Sequence, residues 1–402
     1  MYKFAHIADC HLGAFRDQTL RKLNLDAFKL AMDKCIEENV DFIIIAGDLF
    51  DIHLPDTKVL DEAARKMREV KQKGINIYVL YGSHDYSPTQ TSMIDVLASA
   101  GLFEKIGTKF ITDEKTRAKI VGIKARTMGL ERKEYETLDL KKFENEKGFK
   151  IFVFHSAVTE IHPQFTQISV PLANFPKGFD YYAGGHIHEK AVEKFDSYGL
   201  FALPGTLFGA SYKDLEYVAM GNDPGFFIIE FNESGIKSHR FISTKICDVE
   251  YVEYDATGKT SSQAEEEIKD LINGIDPSEK IILFKVKGEL SAGNPSDIPF
   301  SGIKSMILEK GAKVVYLNRN KLKTKEKEEV KVEGETKEEV EKKLFENVLN
   351  ELKLNHEELI GEKGVELAIR LLNILKEEKR GETKSDYERK ILTRALHEMG
   401  LL

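Results

Sequence analysis

Five times in its first 190 residues this chain follows a short apolar run with acidic or histidine residues, and that repetition constrains its fold more than any other feature. The runs cover residues 3–8, 41–46, 75–81, 150–154 and 179–183, each too short for an ordinary helix and suited to a buried strand. Just beyond them stand Asp9-Cys10-His11, Gly47-Asp48, Gly82-Ser83-His84-Asp85, His155 and Gly185-His186-Ile187-His188.

Helical periodicity separates the first runs. Apolar residues at 20, 23, 27, 31 and 35 predict a helix over 20–38. Asp56 is placed to cap a second helix with a stripe at Val59, Ala63, Met67 and Val70, and a short one is expected over 92–100. Strand, helix, strand, helix, strand predicts an α/β fold with parallel pairing and right-handed crossovers. Ligands in such sheets gather beyond the carboxyl ends of the strands, where Asp9, Asp48 and His84 all fall. Residues 119–123 continue the pattern, and 226–231 reads as a closing strand.

The clusters offer two carboxylates and four or five imidazoles. Asp9 and His11, two residues apart, can reach one metal together, as can His186 and His188. Asp48 can bridge two metals with its two oxygens. Two divalent cations about 3.5–4 Å apart would suit an in-line phosphoryl displacement. Carboxylate and imidazole donors without thiolate suit manganese, iron or zinc alike. Cys10 alternates away from the metal side and reads as a buried filler. His162, His239, His356 and His397 lie outside any motif.

A chain of 402 residues implies two or three domains. The segment after about 243 reads as strand (246–254), helix (262–273), strand (280–287), helix (297–309) and strand (313–318), a small α/β unit. A charge break follows, with 17 of the 25 residues in 319–343 charged, and amphipathic helices are expected near 336–354, 364–379 and 384–399. The formal charge of −8 does not announce a nucleic-acid binder. Residues 280–325 nonetheless carry ten Lys and Arg against three acidic residues, which is compatible with a phosphate-backbone footprint. No stretch is long and apolar enough to predict a membrane span, and the first residues lack a signal-peptide layout, so a cytoplasmic protein is expected. The three cysteines form no metal or disulfide pattern.

These strings resemble the calcineurin-like metallophosphoesterases, and within them the SbcD-type nucleases of DNA double-strand break repair, relatives of the eukaryotic meiotic recombination nuclease. The resemblance is carried by His-Ile-Ala-Asp-Cys-His-Leu-Gly at 6–13, Ala-Gly-Asp-Leu-Phe-Asp at 46–51, Tyr-Tyr-Ala-Gly-Gly-His-Ile-His at 181–188 and Pro-Gly-Thr at 204–206. It implies a layered α/β metallophosphoesterase sandwich over 1–243, a smaller α/β capping domain for DNA over 244–318, a charged linker over 319–336 and a C-terminal helical region over 337–402. It also implies two Mn2+ ions, the first held by Asp9, His11 and His188, the second by Ser83, His155 and His186, with Asp48 bridging. His84 would assist the leaving oxygen or stabilise the phosphorane-like transition state, oriented by Asp85. The implied activity is a 3'-5' exonuclease on duplex ends and an endonuclease on single strands. The implied partners are DNA, a second copy through the helices after the second and third strands, and an SbcC-type coiled-coil ATPase at the C-terminal helices. One position departs from the family: Ser83 stands where it carries Asn, so a weakly active or non-catalytic DNA-end-binding scaffold is an alternative. A small-molecule phosphodiesterase is another, which leaves the basic segment and helical tail unexplained.

Overall fold

The computed structural model describes residues 1–86, 91–125, 131–137, 140–165, 169–324, 336–351, 359, 361–377 and 384–401. It divides into two compact units, Met1–Thr324 and Lys325–Leu402.

In the first unit the strand and helix alternation appears as β1 (Tyr2–Ile7), α1 (Gln18–Glu37), β2 (Phe42–Ala46), α2 (Thr57–Gln72), β3 (Asn76–Leu80), α3 (Met93–Ser99) and the two-residue β4 (Glu104–Lys105). The helix starts follow their side chains. Asp17 accepts from the N–H groups of Thr19 and Leu20, Asp56 from that of Lys58, and Ser92 with Asp95 forms a reciprocal capping box. β1 to β4 pair in parallel. Two further strands, β11 (Gly225–Asn232) and β12 (Gly235–Ser243), join beside β1 in the order β12-β11-β1-β2-β3-β4.

A second six-stranded sheet is built from β5 (Ile111–Thr112), β6 (Lys119–Ile123), β7 (Lys150–His155), β8 (Tyr181–Gly185), β9 (Ala191–Lys194) and β10 (Leu200–Leu203), in the order β5-β6-β7-β8-β10-β9. The short α4 (Glu131–Thr137) precedes β7, and α5 (Tyr212–Ala219) follows β10.

The runs are largely apolar because both their faces are covered. Phe4, Phe42, Ile44, Tyr78 and Leu80 face Ile151, Val153, Tyr181 and Ala183 of the second sheet. Their alternates Ala5, Ile7, Ile43, Ile45, Ile77 and Val79 pack against Ala27, Phe28, Ala63 and Met67 of α1 and α2. The Phe4 and Tyr181 rings meet edge to face at 5.2 Å, and His6 Nδ1 lies 2.8 Å from the Tyr181 hydroxyl, tying the two sheets together.

One sequence expectation is corrected. Residues 226–231 belong to β11, and the strand closing that edge is β12, whose residues are mostly half-buried or exposed. An edge strand with one wet face lacks the continuous apolar run that marks its neighbours.

The last part of the first unit is a parallel three-stranded sheet of β13 (Val249–Asp255), β14 (Ile281–Leu290) and β15 (Val314–Thr324), with α6 (Ser261–Gly274) and α7 (Phe300–Glu309). Ile282, Phe284 and Val286 pack with Ile268 and Ile303. On the opposite face Ile281, Leu283 and Val314 join the helix-covered core of the main body. β15 runs six residues past the expected end at 318, into the segment that charge marks as linker, because Leu322 turns inward while its neighbours stay exposed.

In the second unit α8 (Lys337–Glu351), α9 (Gly361–Leu375) and α10 (Lys384–Glu398) are present, with Val365, Leu367 and Ile374 buried. Lys376 pairs with Glu341 at 2.6 Å and Arg370 with Glu398 at 3.0 Å, linking α9 to both neighbours. Residues 325–335 of the expected linker and 352–354 of the expected first helix lie outside the described residues.

Candidate metal centre

The carboxyl ends of β1, β2 and β3 in one sheet and of β7 and β8 in the other meet at one edge of the sandwich. Each end turns sharply. Asp9, His11, Asp48 and His186 all have left-handed backbones, with φ of 48°, 42°, 50° and 88°. Non-glycine residues held there cost roughly 1–3 kcal/mol each and persist where surrounding contacts over-determine them. Those contacts are present. The Asp9 N–H donates to the Gly47 carbonyl at 3.2 Å, the His11 N–H to the Asp48 carbonyl at 2.9 Å, and the His186 N–H to the Asp9 carboxylate at 2.9 and 3.0 Å. Gly47, at φ 92°, also leaves room for a neighbouring ring: a Cβ there would stand 2.2 Å from His155 Nδ1.

Three imidazoles are oriented by what their outer nitrogens reach. His11 Nδ1 lies 3.2 Å from Asp51 Oδ1, His188 Nδ1 2.9 Å from Asp214 Oδ1, and His155 Nδ1 2.8 Å from the Ala46 carbonyl. Each partner only accepts, so each Nδ1 carries the proton and each Nε2 turns a lone pair inward. The inward atoms crowd together. His11 Nε2 is 3.1 Å from His188 Nε2 and 3.6 Å from Asp48 Oδ2, and His155 Nε2 is 3.1 Å from Asp48 Oδ2. Acceptor atoms at such distances call for positive charge between them, as a proton or a metal ion. A carboxylate and imidazole donor set of this kind fits divalent cations. Among the described residues, three groups bring their donor atoms within 4.8 Å: Asp9 with His11 and His188, His11 with Asp48 and His84, and Asp9 with Asp48 and His155.

The electrostatics show the same demand for positive charge, which protons on the rings can also meet. Burial alone would lower His155 and His188, but Asp48 beside the first and Asp214 beside the second raise them to about 10 and about 9. Burial opposes ionisation of Asp48, yet His155 and His11 hold its carboxyl far below the usual range. Asp9 is pushed up, chiefly by burial. Burial also lowers His186 to about 4, with His155 adding to the effect, which keeps that ring neutral.

The remaining expected residues take different places. Ser83 Oγ donates to Asp48 Oδ2 at 3.2 Å. The His186 ring stands edge-on to His155 at 5.2 Å and belongs to none of the three donor groups. His84 is exposed, edge-on to His11 at 4.7 Å, with its Nδ1 2.7 Å from the Asp51 carbonyl. Asp85 therefore does not orient that ring. It is buried beneath the loop, accepting from the Gly82 N–H at 2.9 Å and the Phe50 N–H at 3.4 Å, and burial and Asp48 raise it to about 6. Cys10 is buried in the helix-covered core, as the strand alternation predicts.

Two residues escaped the sequence reading, Asp51 and Asp214. Asp51 stands within the 46–51 string but three residues past the cluster. Asp214 shows only a Ser211-x-x-Asp214 helix start, which says nothing of a histidine 26 residues earlier.

The basic segment is less positive than its count suggests. Lys280 pairs with Glu250 at 2.8 Å, Lys285 with Glu253 at 3.2 Å, Lys287 with Glu253 at 2.5 Å and Lys313 with Glu279 at 2.5 Å. Lys310 Nζ donates to the carbonyls of Ile272, Asn273 and Ile275 at 2.7, 3.0 and 2.9 Å, capping the end of α6. Arg319 lies over the Phe300 ring at 5.0 Å.

Comparison with known proteins bears on this site. A dimetal phosphatase from Danio rerio superposes at a TM-score of 0.39 with 12% identity, covering 61% of this chain and 99% of that one. The DNA double-strand break repair protein Mre11 of Methanococcus maripaludis is 31% identical over 241 residues, 56% of this chain and 62% of that protein. The protein of the same name from Sulfurisphaera tokodaii is 32% identical over 212 residues, 50% of this chain and 52% of its own length. That from Methanocaldococcus jannaschii is 29% identical over 304 residues, 71% and 77% of the two chains. The chain thus spans less than two thirds of the length of the first two relatives. The family model for the calcineurin-like phosphoesterases matches residues 2–190, which hold every residue of the three donor groups. Over residues 2–190 this chain is thus similar to the calcineurin-like phosphoesterases.

Proposed function

We propose that the chain is a two-metal DNA nuclease of double-strand break repair. The observation that carries this reading is the set of inward-turned imidazoles around Asp48, each fixed by an acceptor on its outer nitrogen. The names of its relatives supply the substrate class. Asp9, His11 and His188 would hold one cation, His155, His186 and Ser83 a second, and Asp48 would serve both. When bound, two such cations would activate a water and stabilise the oxygens of an in-line displacement at phosphorus.

The chain's own residues do the rest. His84, whose Nδ1 is held by the Asp51 carbonyl, presents Nε2, which in the imidazolium form would give its proton to the departing sugar oxygen. The Asp85 carboxylate keeps the loop that carries His84 in register through Gly82 and Phe50. We propose manganese as the working metal, 3'-5' exonuclease action on duplex ends and endonuclease action on single strands. The segment 244–318 would act as a capping domain that grips DNA. The segment 337–402, beyond a linker at 319–336, would bind an SbcC-type coiled-coil ATPase, and α2 and α3 would form a homodimer.

The test is cleavage of duplex and single-stranded DNA with and without manganese, with Asp48→Asn as control. Manganese-dependent cleavage that falls at least a thousandfold in Asp48→Asn is expected. DNA binding without cleavage by the unaltered chain would overturn the nuclease reading in favour of a DNA-end scaffold.

A further inference from the structure

We infer that Asp214 is a positioning residue for His188, held in that role by the three-stranded layer packed behind it; this rests on the reading that His188 holds a metal. The two oxygens of Asp214 are divided. Oδ2 accepts from the Ala210 N–H at 2.8 Å, the Ser211 N–H at 2.8 Å and the Ser211 hydroxyl at 2.9 Å. Oδ1 is left for His188 Nδ1 at 2.9 Å. The carboxylate is thus clamped by the start of its own helix, α5, before it meets the ring. Because it can only accept, it fixes the proton on Nδ1 and turns Nε2 toward His11.

The backbone of His188 is fixed from another side. Gly205, at φ 76°, lies so close that a Cβ there would stand 2.4 Å from the His188 carbonyl oxygen. This gives the Pro-Gly-Thr string at 204–206 a physical reason: it lets β10's exit pass beneath the ligand.

Helix α5 in turn leans on the small sheet. Leu215 is buried in the main core, and Tyr212 and Ala219 pack there with Val249 and Tyr251 of β13. The Tyr212 ring meets Tyr316 of β15 at 4.8 Å. A continuous packed path therefore runs from the three-stranded layer through α5 and Asp214 to a metal-facing nitrogen.

The test uses the full chain with Mn2+ alone as probe, by titration calorimetry, alongside thermal melts. Asp214→Asn keeps an oxygen for the helix start but offers His188 an amide N–H, which shifts the ring proton to Nε2. We expect manganese affinity to fall about 10- to 100-fold with a near-normal melt. Ser211→Ala weakens the helix start and leaves Oδ1 in place, so the melt should drop while affinity stays within about twofold of the unaltered chain's. Tyr316→Ala should lower affinity by about threefold, a small fraction of the loss typical when such a partner is removed outright. Unchanged affinity in Asp214→Asn overturns the inference, as does an equal loss in Ser211→Ala, which would make Asp214 a helix cap only. Unchanged affinity in Tyr316→Ala overturns the part assigned to the small sheet. Failure of the unaltered chain to bind manganese would instead refute the metal-centre reading itself. Loss of DNA cleavage with the manganese pattern intact would refute only the nuclease assignment.

Discussion

Ser83 faces the most consequential carboxylate in the molecule with a single hydroxyl, and its proton goes to Asp48 Oδ2 at 3.2 Å. A hydroxyl engaged as donor competes with a cation for that same oxygen. An amide carbonyl at this position would point an acceptor into the site and relieve Asp48 Oδ2 of the hydroxyl's hydrogen bond. Ser83→Asn is therefore expected to tighten the weaker of two manganese sites by about tenfold, in line with the effect of single partners on metal affinity. Calorimetric titration of both proteins checks this, and identical isotherms would refute it. The types of Asp9, His11, Asp48, His155 and His188 were legible because each stands at the end of an apolar run. The partners that aim them, Asp51, Asp214 and the Ala46 carbonyl, were not. Their roles depend on which nitrogen they meet across 40, 26 and 109 positions of sequence.

Among the elements, those with two covered faces or a clean helical stripe are the ones the sequence locates. α2 is an example, with Asp56 accepting from the Lys58 N–H at 2.9 Å and Val59, Ala63, Met67 and Val70 buried. Removing that cap by Asp56→Ala should cost about 1 kcal/mol, read as an earlier chemical-denaturation midpoint with an unchanged slope. An unchanged midpoint would mean the helix start is held by packing alone. Edge elements behave differently. β9 and β12 are mostly half-buried or exposed and lack a continuous apolar run, so nothing local separates them from loops. β15 outruns its apolar stretch because strand pairing with β14 continues to Thr324.

At the scale of the whole molecule, charge is decided by pairing. Lys280, Lys285, Lys287 and Lys313 face carboxylates; among the described residues this leaves Lys304 on α7 and, two residues apart and exposed on β15, Lys321 and Lys323, the closely spaced pair best suited to a phosphate backbone. If the small sheet grips DNA, neutralising both with Lys321→Ala and Lys323→Ala should flatten the salt dependence of duplex binding by about two phosphate contacts, a slope change near 1.8. Lys287→Ala should leave it nearly unchanged. Fluorescence anisotropy over a salt series distinguishes the two, and equal effects would refute the pairing argument.

The sequence by itself determined the strand-and-helix alternation of the first half, the five clusters and the chemistry their residue types permit. Buried runs and capping residues are local signals, and parallel topology places their ends together. The tertiary structure alone decided which nitrogen of each histidine faces inward and that Ser83 donates to Asp48. It alone showed that Asp85 serves the loop backbone while the Asp51 carbonyl turns His84, and that four lysines of the basic segment already face carboxylates. Those outcomes depend on single hydrogen bonds between residues far apart in the chain, and composition and spacing carry no record of them.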